Sequence, residues 1–392
     1  MDLSFLANEG SPFAFGRVAH GDTFVNRTAE KKRLATNFAS KVNTTLISPR
    51  RWGKSSLVKE VGLAMNKANK KYKFAYIDLF SIRTETEFYE AYAKEIIKCT
   101  SSKWNEWANI AGEFLKNITP KISISADKSH EMDITFDLKD IKKNYDTILN
   151  LPEKIAQTKG VKIIICIDEF QNITSFTNHI SFQKRLRSFW QHHQHVTYCL
   201  YGSKRSLLVQ MFEKRNMPFY KFGDVMYLEK IPSADWHPFI VKAFSSSKKT
   251  IKPKQVDLIV DTMQGHPYYV QQLSYLLWIR SSKVVKDEEV FASIEDLVNQ
   301  NANLYERETE AMSNSKVAII RAIASGYNSG LSRAEVIQEF RLGSSANVTK
   351  TLKALDLDEL IDKRSGEYFL IDPAFELWFR KRFLGKSFTS NN

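Results

Sequence analysis

Hydrophobic and polar positions follow two rhythms through about residue 230. Short apolar and β-branched runs predict strands at Thr44–Ser48, Phe74–Phe80, Lys162–Asp168, Val196–Tyr201 and Val225–Leu228. Stripes of helical period fall between them, at Lys54–Ala68, Thr86–Cys99, Asp146–Thr158, Phe182–His193 and Lys204–Lys214. The run "KIIICID" is apolar on both faces, as a central strand of a parallel sheet must be. Alternating strands and helices of this kind predict an α/β fold, an αβα sandwich on a mainly parallel sheet. The rhythm breaks between Ser101 and Asp140. There "KISISAD" and "MDITFDL" alternate with period two on either side of "KSHE", which predicts an inserted β-hairpin near 118–140.

Beyond Glu229 the strand signals vanish. Ile231–Tyr305 reads as helical, with "GHPYYVQQLSYLLWI" its clearest striped segment. The pattern after it reads helix, helix, helix, hairpin, in "KVAIIRAIA", "SRAEVIQEF", "SSANVTKTLKALDLDELI" and "DKRSGEYFLIDP". That order and size match a winged helix-turn-helix. Ser332 followed by Glu335 predicts a capping box at its second helix. The expected organisation is therefore a core over 1–230, a helical lid over 231–312 and a winged helix-turn-helix over 313–386. A polar tail, 387–392, is expected to be disordered. No repeat with a period of 20–50 residues is visible.

The turn after the first predicted strand carries the most specific chemistry. "ISPRRWGKSS" nearly spells the phosphate-binding loop G-x-x-x-x-G-K-[ST], with Ser48 in place of the first glycine. Such a loop needs bare backbone, because phosphate oxygens must approach converging N–H groups at a helix N-terminus. Gly53 supplies that approach; Lys54 would reach the β- and γ-phosphates, and Ser55 would place a hydroxyl on Mg²⁺. Serine is small and Pro49 pre-sets the next turn, so the loop can form without the missing glycine. Ser48, Pro49, Arg50, Arg51, Trp52, Gly53, Lys54, Ser55 and Ser56 are thus the candidate phosphate contacts. Arg50 and Arg51 could instead pair with acids such as Asp78, or project to solvent.

A second signal stands about 110 residues later. "IIICIDEF" ends an apolar strand in Asp168, where a Mg²⁺-positioning carboxylate belongs, because parallel strands open onto the ligand crevice at their C-termini. Glu169 follows, placed to polarise the water attacking the γ-phosphate. At the end of the next strand "YGSKR" offers Ser203 and Arg205 to the γ-phosphate, the lytic water or transition-state charge, or else forms a simple strand-to-helix turn. The guanine-reading N-K-x-D is absent, since "NKAN" at Asn66 lies in a predicted helix, so adenine is the expected base.

Together these residues resemble the P-loop ATPases of the STAND and "archaeal ATPase" group, relatives of AAA+ proteins, over roughly Phe13 to Phe383. "ISPRRWGKSS" is similar to their Walker A, "IIICIDEF" to their Walker B and "YGSKRSLL" to their sensor-1 region. "FVNRTAE" resembles their h-h-G-R-x-x-E element, with Asn26 in place of its glycine beside Arg27, and "GHP" their lid element G-x-P. The resemblance implies a P-loop NTPase core, lid and winged helix, with ATP and Mg²⁺ bound between core and lid. It also implies Asn26 and Arg27 on the adenine side and His266 and Pro267 near the nucleotide.

Composition narrows this further. The chain has 392 residues, 43% hydrophobic and 26% charged, with no apolar run of membrane-spanning length. Its N-terminus lacks the basic and apolar regions of a secretory signal. Three cysteines in apolar surroundings point to buried thiols in a reducing cytoplasm. The net charge of +13 permits contact with nucleic acid, yet Ser313–Asn392 carries only +3 of it. Asn347, Lys350 and Lys353 on the third helix, with Lys363 and Arg364 on the wing, are the candidate contacts to duplex DNA. Asp356, Asp358 and Glu359 would repel it, leaving packing or protein contact as the other use of the domain.

Three functions fit. The first is an ATP-driven switch or motor, slow or stimulated by a partner or by self-association. The second is a DNA-binding ATPase of the loader or mobile-element type, and the third an interaction module with a relict pocket. The intact set Lys54, Ser55, Asp168 and Glu169 weighs against the third.

Overall fold

A computed structural model describes residues 10–101, 104–114, 121–124, 132–135 and 138–386. The chain separates into two compact units. One holds 27–50 and 54–228; the other holds 10–26, 51–53 and 229–386 of the described residues.

The first unit is built on five parallel strands, β1 (Thr44–Ile47), β2 (Tyr72–Asp78), β5 (Lys162–Asp168), β6 (Val196–Gly202) and β7 (Asp224–Tyr227), in the order β2-β5-β6-β1-β7. The doubly apolar run is β5, second in the sheet and buried from Ile163 to Ile167. Register pairs Asp78 with Asp168 at one end of β2 and β5, and Ile47 with Gly202 at the same end of β1 and β6. Helix α1 (Thr28–Ala39) precedes β1, and α2 (Lys54–Ala68), α3 (Glu85–Thr100), α5 (Leu138–Lys159), α6 (His179–Trp190) and α7 (Arg205–Glu213) lie between the strands. The predicted strands and helices are present with ends moved by a few residues, and α5 begins eight residues early, with a break at Asn144.

The interrupted stretch contains α4 (Trp104–Phe114) and an antiparallel pair, β3 (Lys121–Ile124) with β4 (Met132–Thr135). The rest of the expected hairpin, including its turn, lies outside the described residues. The core of this unit is aromatic: Trp190 stacks on Tyr198 at 4.2 Å, and Phe170 meets Phe219 edge-on.

The second unit begins with four helices, α8 (Ser233–Ser246), α9 (Pro253–Thr262), α10 (Pro267–Arg280) and α11 (Asp287–Glu310). The winged helix follows as α12 (Asn314–Ala324), α13 (Ala334–Phe340), α14 (Ser345–Leu357), β8 (Ile361–Arg364) and β9 (Glu367–Leu370). One continuous core joins them, from Trp236 and Leu273 to Ile320 and Leu355, and takes in Phe13 and Val25.

Two features depart from the pattern. The Ser332 capping box is absent: α13 starts at Ala334 with Arg333 at its cap, because a turn closed by Arg333 N–H to Gly330 O delays the helix. A further helix, α15 (Pro373–Leu384), follows the wing, capped by Asp372, whose Oδ1 accepts from Ala374 N and Phe375 N at 2.9 Å. It buries Phe375 and Phe379, whose mixture of aromatic and charged neighbours blurs the helical stripe. The tail, 387–392, lies outside the described residues.

Candidate functional site

β1 runs into the loop and α2 starts at Lys54. Gly53 has φ +88°, the left-handed side that glycine adopts without steric cost. Ser48 and Pro49 are buried, and Lys54 Nζ lies in the hollow of the loop, donating to Ser48 O at 2.9 Å and Pro49 O at 2.8 Å. These carbonyls hold an ammonium where phosphates of a nucleotide would compete for it. Ser55 and Ser56 follow on the first turn of α2, both half-buried, and Arg50 is exposed.

Ser55 Oγ donates to Asp168 Oδ2 at 2.6 Å, across 113 residues of sequence. Burial pushes the Asp168 carboxyl up from its ordinary range; the Ser55 bond opposes this, and the neighbouring Glu169 adds to it. A paired hydroxyl and carboxylate, completed by phosphate oxygens and water, is a donor set that suits Mg²⁺. Among the described residues no cluster of three or more acidic, histidine or cysteine side chains offers an all-protein metal cage.

Glu169 is left-handed, at φ +51°, a conformation costing a non-glycine residue about 1–2 kcal/mol. Its Oε2 accepts from Gln171 Nε2, from Ser203 N at 3.2 Å and from Ser203 Oγ at 3.1 Å. Lys54, Ser55, Asp168, Glu169 and Ser203 therefore gather at the C-terminal ends of β1, β5 and β6. Arg205 stands on α7 with its guanidinium 5.4 Å from the Tyr227 ring. Arg27 is buried and bonded to Glu30 at 2.9 Å; Asn26 belongs to the other unit and donates there to Asp235 at 2.5 Å.

The tip of the loop, Arg51–Gly53, groups with the helical and winged unit. Trp52 is 1% exposed, with His266 edge-on to its ring at 6.1 Å and the Arg364 guanidinium 4.8 Å from its centroid. Arg51, at φ +64°, lies 4.5 Å from the Tyr268 ring and donates to Tyr269 Oη at 3.4 Å. Tyr269 and Tyr305 hydroxyls donate in turn to Asp372. His266, capping α10 ahead of Pro267, is fully buried, and burial lowers its pKa to about 3, helped by the charges of Lys230, Arg51 and Arg364. Arg364 of the wing is held by Asp362 at 2.6 Å, while Lys350, Lys353 and Lys363 are exposed.

Two residues outside the sequence reading join these groups. Gln171 was a generic polar residue after the acidic pair. Lys230 is half-buried, and burial with the nearby Arg364 charge lowers its pKa to about 8. A lone lysine in the apolar run "YLEKIP" was its only sequence signal.

Residues 24–273 match the family described as an ATPase domain predominantly from Archaea. The chain belongs to that family. Residues 303–381 match a "probable winged helix domain". This protein is an ATPase carrying a winged helix, as the loop and the strand-end carboxylates implied. Its fold is similar to the Walker-type ATPase of Pyrococcus abyssi, at 17% identity and TM-score 0.67, over 95% of this chain and 99% of that one. It is also similar to the ORC2 protein of Aeropyrum pernix, solved as ADPNP–ADP complexes, at 17% identity and TM-score 0.57, over 93% and 95%. Among curated proteins none matches the chain in sequence. No helix among the described residues is long and apolar enough to cross a membrane.

Proposed function

We propose that this ATPase is a nucleotide-driven switch in which the winged helix and the lid helices respond to the state of the phosphate-binding loop. The observation that carries this is Trp52, a loop residue buried under wing residue Arg364 and against His266. Phosphates arriving at Gly53, Lys54 and Ser55 must reshape the backbone that also carries Arg51 and Trp52. The stacked cation and the Arg51–Tyr269–Asp372 chain respond to that reshaping, and hydrolysis resets them. In this reading Mg²⁺ is held by Ser55 with Asp168, Glu169 activates water, and Ser203 with Arg205 attends the γ-phosphate. Asn26 and Arg27 serve the adenine side. The free cysteines Cys99, Cys166 and Cys199, the last two buried, agree with a reducing cytoplasm.

The test is Arg364→Ala, with nucleotide kinetics read by a fluorescent ADP analogue. A cation over a desolvated indole is worth roughly 1–2 kcal/mol, so ADP release should change about 5–30-fold. Unchanged release in both Arg364→Ala and Trp52→Ala would sink the switch reading.

A second reading, ATP-controlled binding of duplex DNA, is favoured by the exposure of Lys350, Lys353 and Lys363 along α14 and the wing. It leaves Arg364 with Asp362 and Trp52 rather than with phosphates.

A further inference from the structure

Gln171 lies two residues beyond the acidic pair and is 1% exposed, yet its side chain is only half satisfied. Its Nε2 donates to Glu169 Oε2, while its Oε1 is buried without a hydrogen-bond partner. Flipping the amide would turn its oxygen onto the carboxylate, so the orientation follows from charge. A buried amide oxygen with no partner is costly and calls for an explanation.

The surroundings are shaped for this amide. Gly202 ends β6 beside it, and a Cβ there would stand 1.9 Å from Gln171 Oε1 and 3.3 Å from Glu169 Cα. Glycine is required here by space. The turn Phe170–Ser175 that carries Gln171 is pinned by the buried Phe170, by Asn172 Nδ2 to Leu79 O at 3.1 Å, and by Thr174 Oγ1 to Gln171 O at 2.7 Å.

We infer that Gln171 is a positioning residue for hydrolysis, which fixes the Glu169 carboxylate so that its two oxygens have different tasks. Oε2 is saturated by the Gln171 amide and by the Ser203 amide and hydroxyl. Oε1 has no hydrogen bond to a described residue and is the atom left to take a proton. In the reaction a water oxygen forms the new bond to the γ-phosphorus, and the bond from that phosphorus to the β–γ bridging oxygen breaks. The bridging oxygen leaves on ADP with the electron pair. The water proton passes to Glu169 Oε1, and from there to solvent. Gln171 touches none of the reacting atoms; it removes the rotation by which the base would lose its aim.

This inference rests on Glu169 acting as the base, so the experiment includes Glu169→Gln. The decisive variant is Gln171→Met, which keeps the volume and removes both the donor and the unpartnered oxygen. With Mg-ATP, its kcat should fall about 10–100-fold, while KM and the affinity for a fluorescent ATP analogue stay within about 2-fold. Its thermal midpoint should equal or exceed that of the wild type, because the orphan oxygen is gone. A purely structural glutamine would give the opposite pairing, a lower midpoint with unchanged turnover per folded molecule. Gly202→Ala displaces the amide from the other side and should lower kcat comparably, and in a double-mutant cycle with Gln171→Ala it should add nothing further. Should Gln171→Met fail to fold, that cycle decides. Turnover within 2-fold of wild type in Gln171→Met, or full additivity in the cycle, overturns the inference. If Glu169→Gln abolishes turnover and Gln171→Met does not, only the positioning role falls. If Glu169→Gln turns over normally, the base assignment falls with it.

Discussion

Ser55 Oγ and Asp168 Oδ2 stand 2.6 Å apart, joining the first turn of the loop helix to the end of a central strand. Separated by 113 residues, the two halves of the candidate nucleotide site are thus in direct contact within one unit. A divalent cation at this pair would bind the hydroxyl and the carboxylate from one side, directly or through water. Ser55→Ala should weaken the apparent Mg²⁺ affinity of ATP hydrolysis by about 10–100-fold. A titration of rate against free Mg²⁺ checks this, and an unshifted midpoint would place the metal elsewhere.

The Lys54 ammonium donates to the carbonyls of Ser48 and Pro49. Those neutral acceptors bind it less strongly than phosphate oxygens would. Lys54→Met, which keeps the stem, should reduce ATP affinity on the order of 100-fold, the scale of a lost charge-assisted bond to phosphate. Calorimetric titration with ATP reads the loss, and a pocket of undiminished affinity would have to lie outside this loop.

The buried His266 makes stability depend on acid. Its folded-state pKa is lowered to about 3 by burial first, then by the charges of Lys230, Arg51 and Arg364. The unfolded chain takes up a proton near pH 6.5 that the folded chain refuses, so this contribution is complete above 6.5 and lost as pH falls toward 3. The slope should approach 1.4 kcal/mol per pH unit at most. Thermal midpoints of wild type and His266→Gln between pH 7 and 4 should diverge, the wild type falling faster. His193, lowered to about 4, titrates in both proteins and cancels in the difference. Parallel curves would mean that His266 is protonated in the folded state.

Charge reversal at the exposed Lys350 and Lys353 should abolish duplex binding if α14 enters a groove. Neutralising Lys363 alone should flatten the slope of log affinity against log salt by about one unit, the effect of one phosphate contact. Anisotropy titrations at low salt with ATP read both. Absence of binding at micromolar protein assigns the domain to protein contacts or to internal packing.

Much of this molecule was legible from residue order alone. The doubly apolar "KIIICID" could only be an interior strand, and it became β5 over the same residues, Lys162–Asp168. The loop and the acidic pair were legible for the same reason, since each is a short run whose chemistry depends on covalent neighbours. A winged helix could be read from three helices and a hairpin because its elements follow one another directly in the chain.

What tertiary structure decided are the partnerships that sequence distance hides. Arg364 read as a wing cation for duplex DNA and Trp52 as a candidate phosphate contact, but packing sets the guanidinium over the indole. Arg51 had several possible partners, and the fold chose Tyr268 and Tyr269, the latter 218 positions away. Gln171 had no signal at all. Its role depends on a carboxylate two residues back and on the bare α-carbon of Gly202, which only the pairing of β5 with β6 sets beside it. Periodicity reports which face of an element is buried; it carries no information about which distant side chain will meet that face.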